Sequence, residues 1–175
     1  MRYERACIES IGYELPPTVV TSAALEERLA PLYQQLHLQP GQLEALTGIR
    51  ERRYWKPGTT MADGATRAGR KALAASGVAA DDIGLLIYTG VCRDYLEPAN
   101  ACAVADGLGL SEKTEVYDVS NACLGVINGI TQAADAIELG RARAGLVVSC
   151  ESARQIVDLT IEKLRAARDM ETLRL

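Results

Sequence analysis

Phenylalanine is absent from this chain, and tryptophan and histidine occur once each in 175 residues. Aromatic residues make up only 5%, so the core has to come from Ala, Leu, Ile and Val, which suits tightly packed layers of helix on sheet. No apolar run reaches the roughly 18 residues of a membrane span. The N-terminus lacks the basic-then-apolar order of a secretion leader. The five cysteines, Cys7, Cys92, Cys102, Cys123 and Cys150, form no CxxC pair and have no histidine at ligand spacing, so the sequence supports no metal site. Their odd number and scatter point to reduced thiols in the cytoplasm, one of them a potential nucleophile and the rest small core residues. A net charge of -4 recommends neither a nucleic acid nor an anionic membrane as partner.

What is there alternates between strand and helix signals. Ala6–Glu14 reads as a first strand, ended by Pro16–Pro17. Thr21 or Ser22 then caps a helix that runs to about His37, broken near Pro31. A short helical piece through Leu46 leads to Gly48 and the basic stretch Arg50–Trp55. Thr60 opens a helix from Met61 to Ser76, ended by Gly77. The run Ile83–Val91 is nearly all apolar, as expected of a strand buried on both faces of a parallel sheet. A loop, Cys92–Pro98, follows, then a helix from Asn100 or Ala101 to Leu108 and a strand over Glu115–Val119. Ser120–Asn121 turns into a helix from Cys123 to about Leu139. A third apolar strand (Ala144–Ser149) and a helix over Gln155–Ala167 complete the pattern. This spacing indicates a layered α/β fold. No internal repeat or low-complexity linker divides the chain, which reads as one unit over 1–175.

The chemistry concentrates in the stretch from Tyr117 to Ile130, YDVSNACLGVINGI. A strand turns sharply through small and polar residues and delivers Cys123 to the first turn of an apolar helix. Unpaired N–H groups and the helix dipole favour a thiolate there by roughly 0.3–2 kcal/mol. Thiolate is the reactive form, and nearby N–H groups can hold the oxyanion made when sulfur attacks a thioester. Gly125 and Gly129 would let another backbone or an acyl chain lie close to this helix. Position alone also fits a buried structural thiol.

The same stretch resembles the active-site motif of the ketoacyl-ACP synthase III branch of the thiolase superfamily. Three other stretches agree in order and spacing: Leu46–Arg53, Ile83–Gly90 and Leu96–Leu110. The resemblance implies the N-terminal half of a thiolase-like fold, with Cys123 carrying the acyl group in a Claisen condensation. Val91–Pro98 is similar to the OleA-type members, which join two fatty acyl-CoA molecules without decarboxylation to give a 2-alkyl-3-ketoacid. Such chemistry needs a base for the proton alpha to a thioester. The resemblance assigns that role to Glu97, reaching the active site of the partner subunit. The substrate would be acyl-CoA or acyl-ACP, with no bound cofactor. Decarboxylative 3-oxoacyl-ACP synthase III chemistry is the alternative enzymatic reading, and a catalytically incomplete assembly subunit the non-enzymatic one.

The sequence departs from the family in two ways. Gln42 and Leu46 stand where synthase III enzymes place a Trp and an Arg against the adenine end of coenzyme A, although Arg50, Arg52 and Arg53 keep positive charge nearby. The family also completes its site with a His and an Asn from the second half of the fold. The one histidine here, His37, reads as a surface residue at a helix end. One half alone would expose the apolar face of its central helix, so the expected cover is a second copy (a homodimer), a chain carrying the C-terminal half, or the rest of a longer protein of which this is a piece.

Overall fold

A computed structural model of the chain describes residues 2–166. In chain order the elements are β1 (Thr18–Thr21), α1 (Ser22–Arg28), α2 (Ala30–Gln35), α3 (Gln42–Thr47), β2 (Glu51–Tyr54), α4 (Met61–Ser76), β3 (Ile83–Thr89), α5 (Asn100–Leu108), β4 (Glu115–Val119), α6 (Gly125–Glu138), β5 (Ala144–Val148) and α7 (Arg154–Ala166). The chain divides into two compact units, where the sequence pattern marks none. One comprises the segment through Glu14 together with Gly58–Glu151, and the other Leu15–Pro57 together with the chain from Ser152 onward. Both are discontinuous in sequence, which is why no linker composition announces them.

The first unit is a parallel sheet in the order β4-β3-β5. The chain leaves β3 for β4 on one side, then returns past β3 to β5 on the other. Right-handed crossovers in opposite directions place their helices on opposite faces. Accordingly α6 packs on the face of Leu85 and Ile87, through Ala133 and Ala136. On the other face lies α5, the β3-to-β4 crossover helix, together with α4, where a Cβ at Gly69 would lie 3.2 Å from Val148 of β5 and 3.3 Å from Leu108 of α5. β3, covered on both faces, is buried from Leu85 through Thr89.

Small residues make these close layers possible. The buried stripe of α6 is Gly125, Gly129, Ala133 and Ala136, and that of α4 includes Ala62, Gly64, Ala65 and Gly69. Helices with such stripes approach a sheet closely enough for a core without Phe to be solid. Away from that stripe, Val126 of α6 is 40% and Ile127 59% exposed, and Leu124 just ahead of the helix is 59% exposed.

Ala6–Glu14 is extended but is not a strand: β1 begins only at Thr18. Its partner is a helix. Ser10 Oγ donates to the Ala72 carbonyl of α4 at 2.8 Å, and Gly12 presses on the same turn, where a Cβ would lie 2.3 Å from the Ala72 nitrogen. Period-two alternation identifies an extended chain, whereas a strand also needs a neighbouring strand for its hydrogen bonds. The alternation turns Ile11 and Tyr13 outward, 81% and 70% exposed.

In the second unit β1 and β2 pair antiparallel, Thr18 opposite Tyr54. Thr21 caps α1, and the helical stretch breaks at Leu29, ahead of Pro31 in the first turn of α2. The basic stretch is strand β2, flanked by Arg50: Arg52 donates to Ser22 Oγ at 3.0 Å, and Arg53 is exposed. Glu26 is buried, and its carboxylate accepts the N–H groups of Gly41 and Leu43, both at 2.7 Å, and the Tyr33 hydroxyl at 3.0 Å. Those backbone N–H bonds, first Gly41 and then Leu43, hold its pKa below the ordinary value. His37 is exposed at the end of α2, with φ 54°. The helix expected over Gln155–Ala167 is α7, which begins one residue earlier; Ala167 lies outside the described residues.

Candidate active site

In open α/β sheets the crevice for ligands forms beyond the carboxyl ends of the strands, where connections leave in opposite directions. Here that point lies between β3 and β4. A hollow of about 330 Å³ occupies it, lined by Thr89 at the end of β3 and Val91 beyond it, Ala122, Cys123 and Val126 after β4, and Ser149 and Glu151 after β5. A larger hollow of about 480 Å³, against α4 and α5, contains no cysteine.

Cys123 does not sit in the first α-helical turn, as the sequence suggests. It occupies a 3-10 turn, Ala122–Leu124, immediately ahead of α6. The turn follows from Ala122, whose φ of 44° is left-handed and costs a non-glycine residue about 1 kcal/mol or more. That kink redirects the chain from β4 and leaves the Cys123 thiol free and exposed at the hollow. Asn121 Nδ2 donates to Asn128 Oδ1 at 2.6 Å, bridging the turn to the first turns of α6.

Gly129 serves a different neighbour from the one expected. A Cβ there would lie 2.6 Å from Thr89 Cγ2 and 2.9 Å from Val147 Cγ1, so glycine admits the sheet's own side chains. Gly125 is less tightly held, its nearest contacts at 3.7 Å. Thr89 turns its hydroxyl to the Val148 carbonyl at 3.1 Å.

Glu97 lies on the loop between β3 and α5, across a cis peptide bond to Pro98. It is exposed, flanked by Leu96 at 90% exposure, and does not line the hollow of its own chain. The structure therefore does not bring Glu97 and Cys123 together within one chain.

The ends of that loop are fixed by carboxylates that sequence reasoning passes over. Asp94 accepts the N–H groups of Met61 at 2.8 Å and Ala62 at 2.9 Å, filling the start of α4 beside the Thr60–Asp63 capping box. Asp118 of β4 does the same for α5, accepting from Asn100 and Ala101, both at 2.9 Å. Glu151 accepts from Val91 at 2.6 Å and Cys92 at 3.0 Å. Tyr88, wholly buried, places its hydroxyl 2.7 Å from the Cys92 carbonyl oxygen and 2.8 Å from that of Cys150. Burial first, and then the nearby ionisable groups Cys150 and Glu151, raise its pKa, so the hydroxyl keeps its proton and can donate. The available signal for Glu151 and Ser149 was their place just past the carboxyl end of a buried strand.

This doubly covered parallel sheet, with a kinked cysteine turn at its switch point, is similar to one half of a thiolase-like fold. The family profile described as 3-oxoacyl-[acyl-carrier-protein (ACP)] synthase III matches residues 117–168. Within the synthase III branch the likeness is to OleA-type proteins. The acyl-CoA:acyl-CoA alkyltransferase of Shewanella oneidensis is 54% identical over 171 residues, 98% of this chain and 49% of that protein. The Xanthomonas campestris protein of the same name is 38% identical, over 94% of this chain and 48% of its own length. Solved structures agree: a cysteine-to-serine variant of Xanthomonas campestris OleA with bound lauric acid and lauroyl-CoA matches at TM-score 0.91 and 36% identity, over 97% of this chain and 50% of that one. A glutamate-to-glutamine variant of the same protein matches at TM-score 0.92. The chain spans about half the length of the curated relatives it matches.

Proposed function

We propose that the complete protein is an acyltransferase that joins two fatty acyl-CoA molecules by Claisen condensation through an acyl group on Cys123. The observation that carries this reading is the placement of Cys123, a free exposed thiol on a kinked turn ahead of α6, opening on a hollow at the switch point of the sheet.

The Cys123 thiolate attacks the first thioester carbonyl. The tetrahedral oxyanion collapses with loss of coenzyme A thiolate and leaves an acyl thioester on sulfur. Glu97 of a second copy removes the proton alpha to the carbonyl of the second acyl-CoA. The resulting carbanion attacks the Cys123 thioester, the new carbon–carbon bond forms, and the cysteine thiolate departs. Water then cleaves the remaining CoA thioester to give the 2-alkyl-3-ketoacid. No cofactor takes part, and a cytoplasmic setting keeps Cys123 reduced.

Two observations support Glu97 in this role. It projects on an exposed loop outside its own hollow. The cysteine and glutamate replaced in the Xanthomonas campestris structures are also separated in sequence by the same interval as Cys123 and Glu97. A histidine replaced in another of those structures stands at a number far beyond this chain's 175 residues. That histidine would thus come from the second half of the fold, where the resemblance also implies an Asn. That half would also cover Leu124, Ile127, Ile11 and Tyr13, whether it is carried by this protein or by a separate chain.

The test is an intact mass spectrum of the native assembly before and after incubation with lauroyl-CoA. One added acyl group, absent in Cys123→Ala, supports the nucleophile; no addition refutes it. Product analysis separates the two condensations: a retained carboxyl carbon supports joining of two acyl-CoA, and release of CO2 from malonyl-ACP supports the decarboxylative reaction instead.

A further inference from the structure

Two residues that line the hollow at Cys123, Val91 and Glu151, also hold the beginning of the loop that carries Glu97. The Glu151 carboxylate takes the adjacent N–H groups of Val91 and Cys92, one on each oxygen. Two parallel bonds to a charged acceptor fix direction as well as position. The Tyr88 hydroxyl, with one hydrogen to give, lies between the Cys92 carbonyl oxygen at 2.7 Å and the Cys150 carbonyl oxygen, two residues past β5, at 2.8 Å. Cys92 is thus held through both its N–H and its C=O. Gly90 leaves room for this clamp, since a Cβ there would lie 2.9 Å from the Tyr88 hydroxyl and 3.1 Å from Glu151 Oε1. Two residues after Cys92 the loop is pinned again, by Asp94 to the start of α4. Glu97 follows three residues later, among exposed neighbours.

Neither the ladder nor the core accounts for Glu151. β5 ends at Val148, and Glu151 is exposed. Its visible contacts are with the loop.

We propose that Glu151 is a positioning residue for condensation: by clamping Val91 and Cys92 it sets where Glu97 stands, and so serves proton removal at the neighbouring protomer's site. Because Glu151 and Val91 also wall the hollow of their own protomer, the placement of Glu97 is tied to what that hollow holds. This inference rests on the reading of Glu97 as a base acting on a second copy.

The experiment uses hybrid assemblies of the complete protein. A protomer with Cys123→Ala can supply only Glu97, and one with Glu97→Gln can supply only Cys123, so a hybrid has one competent site. Glu151→Gln is placed first in the Glu97-supplying protomer and then in the Cys123-supplying one. Glutamine replaces one acceptor oxygen by an NH2 group and so loses one of the two loop bonds. Condensation should fall at least about tenfold further in the first placement than in the second, as loss of positioning does. Equal losses, or a larger loss in the second placement, overturn the proposal, because Glu151 would then serve the cysteine's pocket or the fold. Tyr88→Phe, whose side chain lies outside the hollow, should show the same asymmetry. It decides the matter by the same comparison if Glu151→Gln chains fail to assemble. A hybrid with Glu151 and Tyr88 intact that acylates Cys123 yet yields no product would mean that Glu97 does not act across protomers; that reading and this proposal would fall together.

Discussion

Gly129 of α6 lies against Thr89 of β3 with no room for a methyl group: a Cβ would stand 2.6 Å from Thr89 Cγ2. Val147 Cγ1 closes the other side at 2.9 Å. Both neighbours are β-branched and sit in the sheet, so neither can swing clear. Gly129→Ala should therefore lift α6 from the sheet and cost about 1–3 kcal/mol, the usual penalty of overpacking. The Cys123 turn leads directly into that helix, so acylation by lauroyl-CoA should slow as well. Urea unfolding and single-turnover acylation measure the two effects. A variant as stable and as fast as the parent would contradict the close-packing account.

Glu97→Gln separates the two halves of the proposed reaction. Glutamine keeps the size of the side chain but cannot accept the proton, so a base-dependent step should lose about 10²–10⁴-fold. Acylation of Cys123 does not need that base, and the acyl-enzyme should accumulate. Quench-flow with mass detection would show the acylated chain building up without product. Normal condensation by this variant would remove Glu97 from the mechanism.

The sequence made the buried architecture legible and left the hydrogen-bonded details obscure. Met61–Ser76 was bounded by Thr60 and Gly77, and the structure places α4 over the same residues, because caps are local chemistry. The apolar run beginning at Ile83 declared a doubly covered strand. Cys123 could be located by motif, yet its 3-10 turn depends on the conformation of Ala122, which no periodicity reports. The strand expected over Ala6–Glu14 failed because strandedness belongs to a pair, and its partner is the backbone of α4. Asp94, Asp118 and Glu151 were missed for a related reason. Each acts on backbone N–H groups distant in sequence, and a carboxylate in a loop or strand carries no sign of which helix or loop it will complete.

Asp118 supplies a case that can be measured without substrate. Its side chain is 5% exposed and accepts the first two N–H groups of α5, whose own N-cap residue, Ala99, has no side-chain acceptor. In Asp118→Asn one oxygen becomes an NH2 group that faces an N–H donor. The loss of a charged acceptor at a buried helix start should cost about 1–3 kcal/mol. Chemical denaturation of parent and variant tests this, and a change within about 0.5 kcal/mol would mean that the helix start is satisfied in another way.

Glu26 predicts how the second unit responds to acid. Backbone N–H bonds from Gly41 and Leu43, then the Tyr33 hydroxyl, hold its folded pKa below the ordinary 4.5. At neutral pH the carboxylate is ionised in both the folded and unfolded states, and its contribution to stability is fully present. As the pH falls past 4.5 the unfolded chain binds the proton first, which draws the equilibrium toward unfolding. The loss continues until the folded carboxyl is protonated too. Glu26→Gln has no such proton to take up. The stability difference between parent and Glu26→Gln should therefore be constant from about pH 7 to pH 5 and shrink below about pH 4. Carboxylates elsewhere, including Glu14 and Glu138, whose pKa values are also lowered, are shared by both proteins and cancel in the comparison. Parallel stability curves through the acid range would show that the Glu26 carboxylate is no better held in the folded chain than in the unfolded one.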